Sequence, residues 1–124
     1  MVRILVLDDE DIIRMVVSSW LKGAGYLVET ASNGQQAVDI YKQALNAGDP
    51  FDLLILDLTI PGGVGGAVVL KEIMAIDPDA RAIISSGYFE DHMMSKPAFK
   101  SFRGMLAKPY TESQLYEVLG QVLK

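Results

Sequence analysis

Short apolar runs recur along the chain, and none of them alternates with polar residues. They lie at 4–7, 53–56, 82–84 and 105–107. Continuous apolar runs of this length are typical of parallel strands that helices cover on both faces. A fifth segment, Tyr26 to Thr30, mixes apolar and polar residues. The pattern therefore predicts five strands, with the second strand along the chain at an edge of the sheet.

Segments with helical periodicity separate these runs. Their apolar residues recur at three- and four-residue intervals, and Gly23 and Gly25 are good stop signals for the first helix. The stretch from about 90 to 101 is less periodic, but the alternation of elements predicts a fourth helix there. The other four stripes run from Ile13 to Ala24, Ala37 to Leu45, Leu70 to Met74 and Leu115 to Val122.

Strict alternation of strands and helices predicts an α/β fold. Parallel strands need right-handed crossovers, so an open doubly wound sheet is expected, since an eight-stranded barrel would need about twice the length. The chain has 124 residues, with no repeat, linker or low-complexity tract. We therefore expect one domain over residues 1–124.

Composition narrows the classes of partner. Eleven basic against sixteen acidic side chains give a net charge of −5, which argues against binding to nucleic acid. No apolar stretch reaches the ~20 residues that span a bilayer, and the first residues do not read as a signal peptide. The chain has no cysteine, which is compatible with a reducing compartment. A cytoplasmic location without membrane insertion is expected.

Polar residues follow four of the five predicted strands. Asp8-Asp9, Asp57, Ser85 and Lys108 each stand where an apolar run ends. In doubly wound sheets the ligand site lies at this edge, near the point where the strand order reverses. Carboxylates gathered there repel by about 4 kcal/mol per pair at about 4 Å and an effective dielectric of about 20, unless a cation intervenes. Because Mg²⁺ prefers carboxylate oxygens and leaves room for phosphate, the residues predict phosphoryl chemistry at a Mg²⁺ site.

Each of these residues has a predicted role in such chemistry. Asp57 stands alone after a central strand and is the candidate nucleophile, whereas Asp8 and Asp9 are better placed to hold metal. Ser85 and Lys108 are expected to pair with phosphoryl oxygens.

The same residues resemble the motif set of receiver domains in bacterial response regulators. The likeness extends to the segments 57–62 and 107–110 and covers the whole chain. It implies a (βα)5 flavodoxin-like sheet in the order 2-1-3-4-5 and a cis Lys108–Pro109 bond. It also implies phospho-acceptance by Asp57, with Mg²⁺ held by Asp9, Asp57 and the Thr59 backbone carbonyl while Asp8 assists.

The resemblance also implies partners and a mode of signalling. A histidine kinase or histidine phosphotransfer protein would donate the phosphoryl group, and a downstream protein would recognise a face near the fourth helix, fifth strand and fifth helix. Such a domain is a signalling module and not an enzyme acting on other substrates. The segments 61–66 and 85–88 are similar to receivers of hybrid sensor histidine kinases. A separate regulator would look much the same, so both origins remain open.

One departure from the family concerns switching. Receivers usually have Tyr or Phe three residues before the lysine, and this chain has Met105. The common aromatic-hydroxyl switch therefore cannot operate here in its usual form. Ser85 replaces a frequent threonine but keeps the hydroxyl that phosphorylation needs.

Other interpretations of these residues remain open at this stage. Asp57 and Lys108 could form an inert ion pair in a domain that never takes phosphate. A phosphatase with an aspartyl-phosphate intermediate is disfavoured because Thr59 stands where such enzymes commonly have a second acid. The glycines at 62–66 match neither nucleotide-binding fingerprint, and His92 receives no role.

Overall fold

The computed structural model describes residues 1–58, 65–87 and 97–124. These form five strands, four α-helices and a short 3-10 helix. The predicted fourth helix, at about 90–101, falls largely outside the described residues, so the helix called α4 below is the fifth predicted one. In chain order the elements are β1 (Arg3–Leu7), α1 (Asp11–Gly23), β2 (Leu27–Ala31), α2 (Gly34–Asn46), β3 (Leu53–Asp57), α3 (Gly66–Ile76), β4 (Ala82–Ser86), the 3-10 helix (Pro97–Phe99), β5 (Gly104–Ala107) and α4 (Glu112–Val122).

The five strands form one parallel sheet in the order β2-β1-β3-β4-β5. The predicted fold class and strand order are therefore confirmed, as is the edge position of β2. The order reverses between β1 and β3, which opens a crevice beyond the carboxyl ends of these central strands.

Alternate residues of the strands enter two separate core layers, as the two-residue repeat of a strand requires. Leu5, Leu54 and Ile84 belong to a layer that also contains Tyr41 of α2 and Ile73 of α3. On the opposite face, a second layer combines apolar residues of α1 and α4 with alternate strand residues. Its buried members from the sheet and these helices are Ile4, Val6, Val17, Leu21, Leu53, Ile55, Ile83, Leu106, Leu115, Leu119 and Val122.

Local signals set several helix ends. Asn33 caps α2 by accepting a hydrogen bond from the Gln36 backbone N–H, and Thr111 and Gln114 form a reciprocal capping box at α4. After α1 the chain turns through Gly25, whose φ of +95° lies in the region that favours glycine. The predicted stop of the first helix is thus confirmed.

The edge strand β5 departs from the expectation for its apolar run. Helices cover both faces of β3 and β4, all of whose residues are buried. In β5, by contrast, Met105 is 40 % exposed and only Leu106 is buried. The prediction of burial on both faces was therefore wrong for this strand, because apolar residues at an edge strand need not have neighbours on each side.

Candidate functional site at the carboxyl ends of the strands

The alternation of side chains along the strands brings the site residues to one face of the sheet. Val6, Ile55 and Ile83 belong to the core layer beneath α1 and α4. Two residues further on, a strand presents the same face again. Asp57 and Ser85 occupy these positions on β3 and β4 and are register partners. Asp8 takes the equivalent position just past the end of β1.

Backbone hydrogen bonds hold these strand ends in place. The Leu58 N–H donates to the Ser85 carbonyl at 2.8 Å, and the Lys108 N–H donates to the Ser86 carbonyl at 2.8 Å. The Lys108–Pro109 bond is cis, as the family resemblance implied. The acceptor strand, the serine strand and the lysine are therefore tied together through the main chain.

Lys108 lies between two buried carboxylates. Its Nζ is 2.7 Å from Asp8 Oδ2 and 3.4 Å from Asp57 Oδ2. Burial lowers the pKa of Lys108, but the hydrogen bond with Asp8 and the charge of Asp57 raise it by more, so the net shift is upward. The ammonium form is thus favoured, and it stabilises two carboxylates that would otherwise repel each other.

Asp8 is held on both sides. Its Oδ1 accepts a hydrogen bond from the Glu10 backbone N–H at 2.9 Å, while Oδ2 pairs with Lys108. The carboxylate oxygens of Asp8, Asp9 and Glu10 lie within 4.8 Å of one another, and the last two side chains are exposed. Glu10 is the N-cap residue of α1, but its side chain makes no cap hydrogen bond. A cation at this position would meet oxygen donors only, which suits Mg²⁺.

Ser85 carries a buried hydroxyl without a partner. The residue is 2 % exposed, and its Oγ makes no hydrogen bond in the part of the chain that the structure describes. Leaving a buried hydroxyl unpaired costs about 1–3 kcal/mol. Such a group next to a buried carboxylate is a donor available to an oxygen-rich ligand.

A groove of about 650 Å³ runs from these charged residues along α1. Asp57 and Lys108 line its polar end, and Ile12, Val16 and Trp20 contribute an apolar wall. Ile12 is among the exposed large hydrophobic residues of the described chain. The groove therefore joins the buried Asp57 carboxylate to an accessible apolar surface.

The sequence matches the family described as the response regulator receiver domain over residues 4–120. The chain belongs to this family. The receiver is 32 % identical over 123 residues to the chemotaxis protein CheY of Thermotoga maritima, a match that covers 98 % of both chains. It is also 32 % identical to the sensor kinase CckA of Brucella abortus, covering 98 % of this chain and 12 % of that protein.

A solved structure supports the same assignment of the chain to the receiver family. The response regulator TrrA of Thermotoga maritima, in complex with Mg²⁺ and beryllofluoride, superposes with a TM-score of 0.81 at 32 % identity, covering 99 % of this chain and all of that one. The receiver is thus a signalling module of two-component systems, and the likeness to CckA fits the resemblance to receivers of hybrid kinases. None of the helices in the described residues has both the length and the apolar character needed to cross a membrane.

The structure brings most of the predicted site residues together. Asp8, Asp57 and Lys108 are in direct contact through the lysine, and Ser85 is the register partner of Asp57. Thr59 lies outside the described residues, as does His92. The chemical roles of all these residues stay predictions.

Two further residues at this edge received no role from the sequence. Glu10 joins the acidic trio with Asp8 and Asp9, and its position directly after them was the available signal. Tyr110, two residues after Lys108, also lines the groove. Its neighbourhood depends on the path of the loop after β5, which no pattern of apolar residues specifies.

Proposed function

We propose that residues 1–124 form one receiver domain that accepts a phosphoryl group from a phosphohistidine onto Asp57 in a Mg²⁺-dependent reaction. The observation that carries the proposal is the contact of one lysine with two buried carboxylates, 2.7 Å from Asp8 and 3.4 Å from Asp57. An inert structural ion pair needs only one carboxylate. A second carboxylate, beside a Ser85 hydroxyl that has no partner among the described residues, supports a site prepared for additional ligands.

The transfer step uses the Asp57 carboxylate as nucleophile. One of its oxygens attacks phosphorus, a P–O bond forms as the P–N bond to the donor imidazole breaks, and the imidazole leaves with the electron pair of that bond. The Lys108 ammonium then pairs with a phosphoryl oxygen, and Ser85 donates a hydrogen bond to another. The domain catalyses only its own phosphorylation and the slow hydrolysis of the product.

The residues present fit a magnesium ion. Asp9 and Asp57 would hold it directly, Asp8 would assist, and the Thr59 carbonyl would complete the set from outside the described residues. When bound, Mg²⁺ neutralises negative charge on the transferring phosphoryl group. The carboxylate oxygens of Asp8 and Asp9, which lie within 4.8 Å of each other, support this assignment. The likeness to TrrA, whose structure was solved in complex with Mg²⁺ and beryllofluoride, supports it as well.

The partners follow from this chemistry. A histidine kinase or a histidine phosphotransfer protein would present its phosphohistidine at the polar end of the groove, and a downstream protein would read the result. The groove supports this proposal because Asp57 lines one end of it and apolar side chains of α1 line its wall. We expect both encounters to take place in the cytoplasm, without nucleic acid and without insertion of this domain into a membrane.

Intact-mass analysis after incubation with acetyl phosphate and Mg²⁺ tests the proposal. We expect one added phosphoryl group in the parent protein and none in Asp57→Asn. The exposed Asp39→Asn on α2 is the matched control and should be modified like the parent. If the parent gains no mass, and Mg²⁺ changes neither Trp20 fluorescence nor thermal stability, the domain is an inert ion-paired module.

A further inference from the structure

The position that carries the aromatic switch in most receivers is occupied by Met105 in this chain. Its side chain is 40 % exposed and belongs to neither buried core layer. A thioether is at most a weak acceptor and has no hydroxyl to donate. Signalling by this domain therefore needs another residue to connect the phosphoryl site to a surface.

Tyr110 is in contact with both the groove at the site and α1. It lines the same groove as Asp57 and Lys108. Its ring also packs against Trp20 of α1, with ring centroids 6.5 Å apart and planes inclined by 58°. The ring also contacts the core layer beneath α1 and α4. No other tyrosine in the described residues lines this groove.

The charged groups of the site also act on the Tyr110 phenol. Burial is the largest influence on the pKa of Tyr110 and raises it, and the charges of Asp8, Lys108 and Asp57 act on the phenol as well, with a net upward shift. The phenol thus responds to the groups whose charge and hydrogen bonding change when a phosphoryl group arrives.

We propose that Tyr110, in place of the residue at 105, transmits the occupancy of the phosphoryl site to α1 through its contact with Trp20. This inference rests on the proposed function and assigns the regulation of the same site. It makes the aromatic and apolar surface of α1, and not the exposed face of β5, the surface that changes first.

Differences in contacts between the unphosphorylated and the phosphorylated domain would supply the free energy for this conformational change. Without phosphate, the Ser85 hydroxyl makes no hydrogen bond to any residue that the structure describes, and Lys108 is held by Asp8 and Asp57. A phosphoryl group adds negative charge and three strong acceptors at that point. Ser85 and Lys108 then turn toward it, and the Tyr110 hydroxyl gains an acceptor or a new neighbour. Only such differential contacts can shift a conformational equilibrium.

Trp20 is the only tryptophan in the chain, so its emission reports the proposed contact directly. The experiment compares the parent, Tyr110→Phe and Tyr116→Phe before and after saturation with Mg²⁺ and beryllofluoride. Occupancy of the site is measured independently by ¹⁹F NMR. Hydrogen exchange of the α1 amides provides a second readout in the same samples.

The Tyr116 variant is a matched control. The Tyr116 hydroxyl lies within hydrogen-bond distance of two acceptors, the Trp20 carbonyl at 2.8 Å and the Glu112 carboxylate at 2.6 Å, so it contacts the same tryptophan without lining the groove. We expect Tyr116→Phe to retain the emission change of the parent. Tyr110→Phe should bind beryllofluoride and keep its unloaded spectrum, yet lose most of the emission change and of the altered α1 exchange.

Several results would overturn the inference. It is wrong if loaded Tyr110→Phe retains the full emission change, or if the loaded parent gives none. It is equally wrong if Tyr110→Phe folds but cannot be loaded at saturation, because the hydroxyl would then serve binding and not transmission. Failure of the parent itself to bind beryllofluoride would instead refute the proposed function.

Discussion

At the amino-terminal end of the sheet, Arg3 pairs with two carboxylates that are in contact with water. At the opposite end, Lys108 pairs with two carboxylates that are almost fully buried. The Arg3 guanidinium lies 3.2 Å from Glu29 and 3.1 Å from Asp49, whose side chains are 53 % and 72 % exposed. It also stacks over the Phe51 ring at 4.6 Å.

Both ends hold more acid than base, so the number of charges does not distinguish them. The distinction is solvation. The side chains of Asp8 and Asp57 are 3 % and 5 % exposed, and they depend on Lys108 for compensation. Excess negative charge costs little in water and much in a low-dielectric interior. A folded protein tolerates such an unfavourable free energy at a functional site, where a bound ligand can offset it.

Removing the cation should therefore have its largest effect at the carboxyl end. We expect Lys108→Ala to lower the free energy of unfolding by about 3 kcal/mol, because two buried carboxylates lose their counter-charge. Mg²⁺ should restore part of this loss. Urea denaturation with and without Mg²⁺ measures both effects, and the exposed Lys42→Ala serves as the control. A variant that is largely unfolded would refute the functional assignment of Lys108.

The difference in unfolding free energy between the parent and Lys108→Ala should depend on pH. The pKa of Lys108 is raised in the folded state, so its stabilising contribution is complete below the unfolded value of about 10.4 and is lost as pH rises through the higher folded value. The difference in unfolding free energy between the parent and Lys108→Ala should be constant from neutral pH to about pH 10 and shrink above it. A difference that widens in alkali would contradict this direction.

The sequence predicts the fold more completely than it predicts the arrangement of the site. The apolar runs were sufficient for the strands, the edge position of β2 and the parallel class, because buried parallel strands leave a strong composition signal. Strand order came from the family resemblance and not from periodicity. The polar residues at the strand ends were equally visible, since each directly follows an apolar run.

The missing information was which side of the sheet each polar residue faces. A continuous apolar run hides the alternation, although counting in twos from Val6 to Asp8, from Ile55 to Asp57 and from Ile83 to Ser85 gives the shared face. Tyr110 could not be found this way, because its loop has no strand periodicity. The exposure of Met105 depends on tertiary neighbours, which local sequence does not encode.

Substitution of Gly66 should have a smaller effect, which acts through the backbone at the carboxyl ends of the strands. A Cβ on Gly66 would lie 2.5 Å from the Asp57 carbonyl oxygen and 3.2 Å from the Leu56 Cβ. We expect Gly66→Ala to cost about 2 kcal/mol, because α3 and the end of β3 must move apart. The movement displaces Asp57 from Lys108, so phosphorylation by acetyl phosphate should also slow.

Gly120→Ala on α4 is the control for this substitution. A Cβ there meets nothing within 4 Å, and the change should leave phosphorylation intact while stabilising the helix slightly. Denaturation and intact-mass time courses on both variants measure the two effects. Equal phosphorylation rates in Gly66→Ala and the parent would mean that close packing of α3 is not needed to position Asp57.

The smallest effect is expected at the amino-terminal end, where Arg3→Ala tests whether solvation explains the contrast. Exposed ion pairs and a cation–π contact together are worth about 1 kcal/mol, and salt screens the ionic part. The loss in unfolding free energy should therefore be about a third of that in Lys108→Ala, shrink in high salt and not respond to Mg²⁺. The loss should be small because water already stabilises Glu29 and Asp49 once the arginine is gone. Equal losses in the two variants, or recovery of Arg3→Ala with Mg²⁺, would mean that burial does not explain the difference between the two ends of the sheet.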